Sequence, residues 1–201
     1  MKKIALTGSD SRARIVLTRA LAYIIGYEIA GKTDYAVQAI QYGLNEALTA
    51  CKWSELFVYL LSSFSERIVI EQHYDQYISN GSVLYELAVV KALHKAQTAS
   101  KRKLNEQAVM LVGAEKIITA YAKRQYDGFV YIETELAKED VFTCAVDNCI
   151  KELLTAQESV YRIRKDSILS DMLEKISTGM KIQPVVSAKT ALDKAQEDIL
   201  E

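Results

Sequence analysis

Proline is nearly missing from this chain: Pro184 is the only one in 201 residues, and glycine occurs eight times. Little in the sequence interrupts a helix, so helix is expected almost everywhere between short strands. Histidine occurs twice, as His73 and His94, and no carboxylate pattern accompanies them, so no metal site is expected. Cysteine occurs three times, and Cys144 and Cys149 stand five apart in a helical stretch, a spacing that suits neither zinc nor a disulfide. With Cys51 they read as reduced packing residues of a cytoplasmic protein. Charge of one sign is missing too. A formal net charge of −1 supplies no global field to draw in nucleic acid or an anionic membrane, and neither partner is expected. The most basic run, Lys101-Arg102-Lys103, reads as a solvated loop or helix end. Long apolar runs are also absent, and Lys2 and Lys3 precede a strand too short for a secretion signal.

What the chain has is hydrophobic mass. Half of its residues are hydrophobic, enough for a large core in one domain over 1–201, with a helical lobe at about 83–125. Ile4-Ala5-Leu6 lies in a strand at 3–7, and Ile15, Val16, Leu17, Leu21 and Ala22 mark the helix after it. Gly26 and Gly31 bracket a short strand at 27–30. Thr33 or Asp34 caps a helix over 34–51 that carries Ala36, Val37, Ile40, Leu44 and Leu48 on one face. Arg67-Ile68-Val69-Ile70 has the composition of a strand. Yet Trp53, Leu56, Phe57, Leu60, Leu61, Phe64 and Ile68 recur at helical spacing, which predicts a helix over 53–74. A strand at 76–79 turns at Asn80-Gly81-Ser82. Helices are expected over 83–101 and 105–125, a strand over 128–132, and helices over 138–160 and 164–178, the last closed by Gly179 as its C-cap. A strand over 182–187 and a helix over 190–200 close the chain, with Pro184 assigning that strand to an edge. The alternation predicts an α/β fold in three layers, with about five mostly parallel strands covered by helices on both faces.

The loop after the first strand carries the functional signal. Thr7-Gly8 ends an apolar run, Ser9 to Arg12 form a polar loop, and a helix follows, as in a phosphate-binding strand–loop–helix. The P-loop pattern G-x-x-x-x-G-K-[ST] finds Gly8 in its first position, but Ala13 in place of the second Gly, Arg14 in place of Lys and Ile15 in place of Ser/Thr. Downstream the chain reads Ile78-Ser79-Asn80-Gly81-Ser82-Val83-Leu84, and then Tyr126-Asp127-Gly128-Phe129-Val130-Tyr131-Ile132-Glu133.

Those three windows, in that order, resemble small P-loop NTPases of the nucleoside-kinase type. The resemblance is to compact bacterial and phage AAA-like ATP-binding proteins related to nicotinamide riboside kinase. These typically begin T-G-x-x-S-S-G-K-T-T-L-A-R-A-L-A and end their third strand I-S-D-G-S-V-L. The resemblance implies a P-loop NTPase fold and a nucleotide site formed by Gly8, Ser9, Asp10, Ser11, Arg12, Ala13, Arg14 and Ile15. It also implies that this site departs from the family where phosphate chemistry is done. Ile15 has no oxygen for Mg²⁺, Arg14 is a planar fork rather than a compact ammonium, and Ala13 adds a Cβ to the loop. Asn80 stands where the family has Asp, keeping an acceptor but losing the metal-binding charge. Ser11 is a conceivable rescue, and Arg14 either pairs with an anion or folds out to Asp10. The stretch corresponding to the lid, Ala137 to Asn148, offers Lys138, Asp140 and Asp147 but no Arg, and reads otherwise as an ordinary amphipathic helix. Glu71, Asp75, Glu133 and Glu135 read as surface carboxylates. Tyr59, Tyr74, Tyr77, Tyr85 and Tyr121 read as packing residues, with base stacking as the alternative.

The expected function is that of a degenerate P-loop protein, non-catalytic or weakly active, with no catalytic or metal-ligating residues assigned. It would bind ATP or phosphate without strong Mg²⁺ dependence and serve a protein partner or its own oligomer in binding, assembly or regulation. The alternative is an ATP-dependent kinase of a nucleoside-like small molecule that uses Arg14 in place of Lys.

Overall fold

The computed structural model describes residues 2–31, 50–96, 101–133, 141–164 and 168–200. Its five strands are β1 (Lys3–Thr7), β2 (Glu28–Ala30), β3 (Tyr77–Asn80), β4 (Gly128–Glu133) and β5 (Val160–Arg164). The helices among the described residues are α1 (Ser11–Ile25), α2 (Trp53–Glu71), α3 (Val83–Ala96), α4 (Lys101–Gln125), α5 (Val141–Leu154), α6 (Leu169–Gly179) and α7 (Ala188–Leu200). The expected helix over 34–51 lies almost wholly outside the described residues.

All strand pairs are parallel and form one sheet in the order β2-β3-β1-β4-β5. A central parallel strand is covered on both faces and so reads as an unbroken apolar run. Alternate residues of these strands serve opposite cores. Ile4, Leu6, Ile78, Val130, Ile132 and Ile163 meet α1, α6 and α7. Ala5, Ala30, Tyr77, Phe129 and Tyr131 meet α2, α3, α4 and α5. The result is the expected three-layer α/β fold.

The Arg67-Ile68-Val69-Ile70 segment is helical and ends α2. Its flanking apolar residues repeat at helical spacing over five turns, and that outweighs four residues of strand-like composition.

The fifth strand is not at 182–187, a correction to the sequence reading. It is Val160–Arg164, mostly in the gap between two expected helices: Arg164 is the first residue of the one over 164–178, and Val160 the last of the one over 138–160. That helix stops at Leu154, where Thr155, Ala156 and Gln157 close turns on Glu152, Leu153 and Leu154. Residues 182–187 run irregularly, with Val185 N–H donating to Ile24 O at 2.7 Å. Pro184 cannot donate, and Lys181 just before takes a positive φ of 54°.

Gly179 is also not a left-handed cap. It is the last helical residue of α6, with Met180 as C-cap. Its lack of a side chain serves packing: a Cβ there would lie 2.1 Å from the Tyr161 ring. No described helix is long and apolar enough to cross a membrane.

Candidate functional site

β1 delivers the chain to the carboxyl edge of the sheet beside β4. The loop after β1 turns to α1 on one face, while α5, after β4, lies on the other. The crevice between them is a switch point, where open α/β sheets bind ligands. Gly8 sits in it with φ 149°, and a Cβ there would lie 2.7 Å from Ile132 O. Only glycine lets the loop cross β4 that closely.

Asp10 is the N-cap of α1, and its carboxylate accepts from Ala13 N–H at 2.9 Å. The helix terminus therefore carries its own acceptor on one of the amides an anion would use. Ala13 is buried, Arg12 exposed and Ile15 half-buried. Of Ser11, only the backbone is described.

Arg14 does not fold out to Asp10. Its guanidinium is 4% exposed and turns inward. Nε donates to Asn80 Oδ1 at 3.1 Å, Nη1 donates to Gly8 O at 2.6 Å, and the plane lies 4.4 Å from the Tyr85 ring centre. Arg14 and Asn80 are thus direct partners across 66 positions of sequence.

On the other side of the loop, Ser9 Oγ donates to Asp147 Oδ1 at 3.1 Å. Asp147 is only 2% exposed, although the sequence reading places it on an ordinary amphipathic helix. It also accepts from Tyr131 OH at 2.8 Å and pairs with Lys151 at 3.0 Å. Burial and then this bond push the Tyr131 phenol well above its usual pKa. Thr7 Oγ1, just before the loop, is buried with no hydrogen-bond partner among the described residues.

Below the Asn80 end lies a charged cluster that the sequence reading missed. Glu71 is completely buried rather than a surface carboxylate. It accepts from Ser79 Oγ at 2.9 Å, Tyr126 OH at 2.6 Å and Tyr121 OH at 3.1 Å. Arg67 donates to Ser79 Oγ at 3.0 Å and to Glu86 Oε1 at 2.6 Å, and lies 4.0 Å from Glu71. Burial opposes the charge of Arg67, but Glu86, Tyr126 and Glu71 more than reverse this and hold its pKa above the ordinary guanidinium value. A Cβ on Gly31, at the end of β2, would lie 2.7 Å from Arg67 Nη1. Glu86 Oε2 is buried with no hydrogen-bond partner among the described residues, an acceptor whose desolvation only a donor can offset.

The expected loop residues are therefore together, and Asn80 joins them. Asp75 is exposed, and Glu133 is half-exposed, 3.9 Å from Lys151. Lys138, Asp140 and Glu135 lie outside the described residues. Two signals for the missed residues exist in the sequence. Arg67 and Glu71 are an i,i+4 pair inside an apolar stripe, and Asp147 stands three before Ile150 and seven before Leu154, both buried.

The fold has close counterparts among solved structures. Deoxyadenosine kinase from M. mycoides with bound dATP superposes with a TM-score of 0.67 at 12% identity, over 89% of this chain and 99% of that one. The same kinase with bound dCTP gives 0.63 at 11% identity, over 89% and 98%. The chain thus has the P-loop fold of those nucleoside kinases. No family model matches it, and neither does any curated protein.

Proposed function

We propose that the chain binds a nucleoside-like small molecule at the carboxyl edge of its sheet, in the crevice bordered by Gly8–Arg14, Asn80 and α5. The observation that supports this most is a likeness to deoxynucleoside kinases that spans nearly the whole of both chains. It is joined by a glycine-led loop and helix terminus at the switch point, where such a ligand would lie. The likeness favours ATP-dependent phosphorylation of that ligand over a purely non-catalytic role.

The second reading, a non-catalytic binding, assembly or regulatory module, has its own support in the loop. Ile15 has no hydroxyl for Mg²⁺. Arg14 is spent on Gly8 O and Asn80 Oδ1, and Ala13 N–H on Asp10. Phosphoryl transfer is mostly positioning and charge stabilisation, so the loss of those groups bears directly on rate.

Titration calorimetry with a panel of nucleosides and deoxynucleosides, followed by label transfer from ATP to each in the presence of Mg²⁺, tests both readings. Transfer establishes the kinase, and saturable binding without transfer establishes the non-catalytic module. No binding by any nucleoside removes the proposal.

A further inference from the structure

Arg14 is a buried cation whose partners are all neutral: a backbone carbonyl, a side-chain amide and a phenol ring. No carboxylate forms an ion pair with it among the described residues. A buried guanidinium of this kind forgoes the strong pairing that carboxylate or phosphate offers its planar fork. It lies at the base of the loop a phosphate would enter, and one of its partners, Gly8 O, belongs to that loop.

We propose that these contacts are an autoinhibitory clasp. Arg14 holds the loop closed on itself, and a polyphosphate ligand binds by taking the guanidinium from Gly8 O and Asn80 in exchange. Asn80 sets how firmly the clasp holds. Its neutral Oδ1 restrains Nε by a single hydrogen bond. A carboxylate at the same position would restrain Arg14 by an ion pair and keep it from the ligand. Arg14 and Asn80 then belong together chemically. With Arg in the loop, the amide keeps the clasp releasable, whereas Asp would lock it.

The clasp rests on the proposed ligand site but makes its own prediction. If Asn80 were a direct ligand contact, Asn80→Ala would harm binding of the anion. A clasp reverses that sign. The probe is inorganic pyrophosphate, titrated calorimetrically into the full chain with a chelator present to remove divalent metal, and deoxyadenosine is titrated in parallel.

Asn80→Ala is expected to bind pyrophosphate about tenfold tighter than wild type, Asn80→Asp at least about tenfold weaker, and Arg14→Ala not at all. Melting curves establish that each variant is folded. Should Asn80→Ala not fold, Tyr85→Leu, which removes the ring beneath the guanidinium, is expected to shift affinity in the same direction. Tighter binding by Asn80→Asp, weaker binding by the loosening variant, or no pyrophosphate binding by wild type and loosening variant alike would overturn the clasp. The deoxyadenosine arm keeps the two claims apart. Nucleoside binding with a failed pyrophosphate series removes the clasp alone, and a pyrophosphate series of the expected signs without nucleoside binding leaves the clasp and removes the nucleoside assignment.

Discussion

Ser9 Oγ donates to Asp147 Oδ1 at 3.1 Å, tying the loop after β1 to a helix 138 positions later in the sequence. The same carboxylate receives Tyr131 OH at 2.8 Å and Lys151 Nζ at 3.0 Å. Asp147→Ala would leave the buried Tyr131 hydroxyl without its acceptor and free Ser9. Hydrogen bonds to charged groups contribute about 1.5–3 kcal/mol, so a loss of that order is expected in urea unfolding. Asp147→Asn keeps an acceptor and should cost less. Equal stability of the alanine variant and wild type would show that the tie carries no weight.

Arg67 neutralises only part of its surroundings. Arg67→Met would leave Glu86 and Glu71 in the interior without their cation, and breaking a buried pair this way costs about 3–5 kcal/mol. Glu86→Gln, which keeps an acceptor for Arg67 and leaves Glu71 in place, should cost clearly less. Chemical denaturation of the two variants, compared at matched pH, checks that order.

Two helical glycines make opposite predictions. A Cβ on Gly179 would lie 2.1 Å from the Tyr161 ring, so Gly179→Ala should cost about 1–3 kcal/mol through overpacking. A Cβ on Gly113, within α4, meets nothing within 4 Å. Gly113→Ala should therefore stabilise by about 0.5–1 kcal/mol through helix propensity. Thermal melts of the pair decide the matter by sign alone.

The tyrosines around Glu71 bear on high pH. Burial, then the Glu71 charge, raises the pKa of Tyr126, and the same two causes in the same order raise Tyr77 and Tyr121 above 10.0. A raised folded-state pKa means that the folded chain keeps its phenol protons while the unfolded chain gives them up. The stability this contributes is complete below the unfolded value of about 10 and declines as pH climbs from there toward the folded values. Tyrosinate absorbance should therefore appear together with loss of helical circular dichroism, rather than ahead of it. Tyr126→Phe, which removes one of these phenols, should make the alkaline decline shallower.

The loop and the strand and helix that flank it were legible because several local signals agree there. An apolar run, Thr7-Gly8, a polar capping segment and an amphipathic stretch all point to strand, loop and helix. α2 was legible because its stripe persists over enough turns to override Arg67-Ile68-Val69-Ile70. β5 was not. Val160-Tyr161-Arg162-Ile163-Arg164 is short, carries two arginines, and follows a helix that ends without proline or glycine. Ile182, Val185 and Val186 looked more strand-like, but Pro184 and the left-handed Lys181 between and before them break the extension that a ladder needs. The buried charges were hidden for a different reason. A carboxylate on an amphipathic helix normally faces water, and only the three-dimensional neighbours of Glu71 and Asp147 reveal the hydroxyl and cationic partners that admit them to the interior.

The central claim is that the carboxyl edge of the sheet is a nucleoside site. Amide hydrogen exchange with and without saturating deoxyadenosine tests it most directly. The account predicts slowed exchange in the loop at 8–14, at 80–86 and in the first turns of α5, with the amino-edge turns at 126–128 and 157–159 unchanged. No protection anywhere, or protection confined to that amino edge, would contradict it.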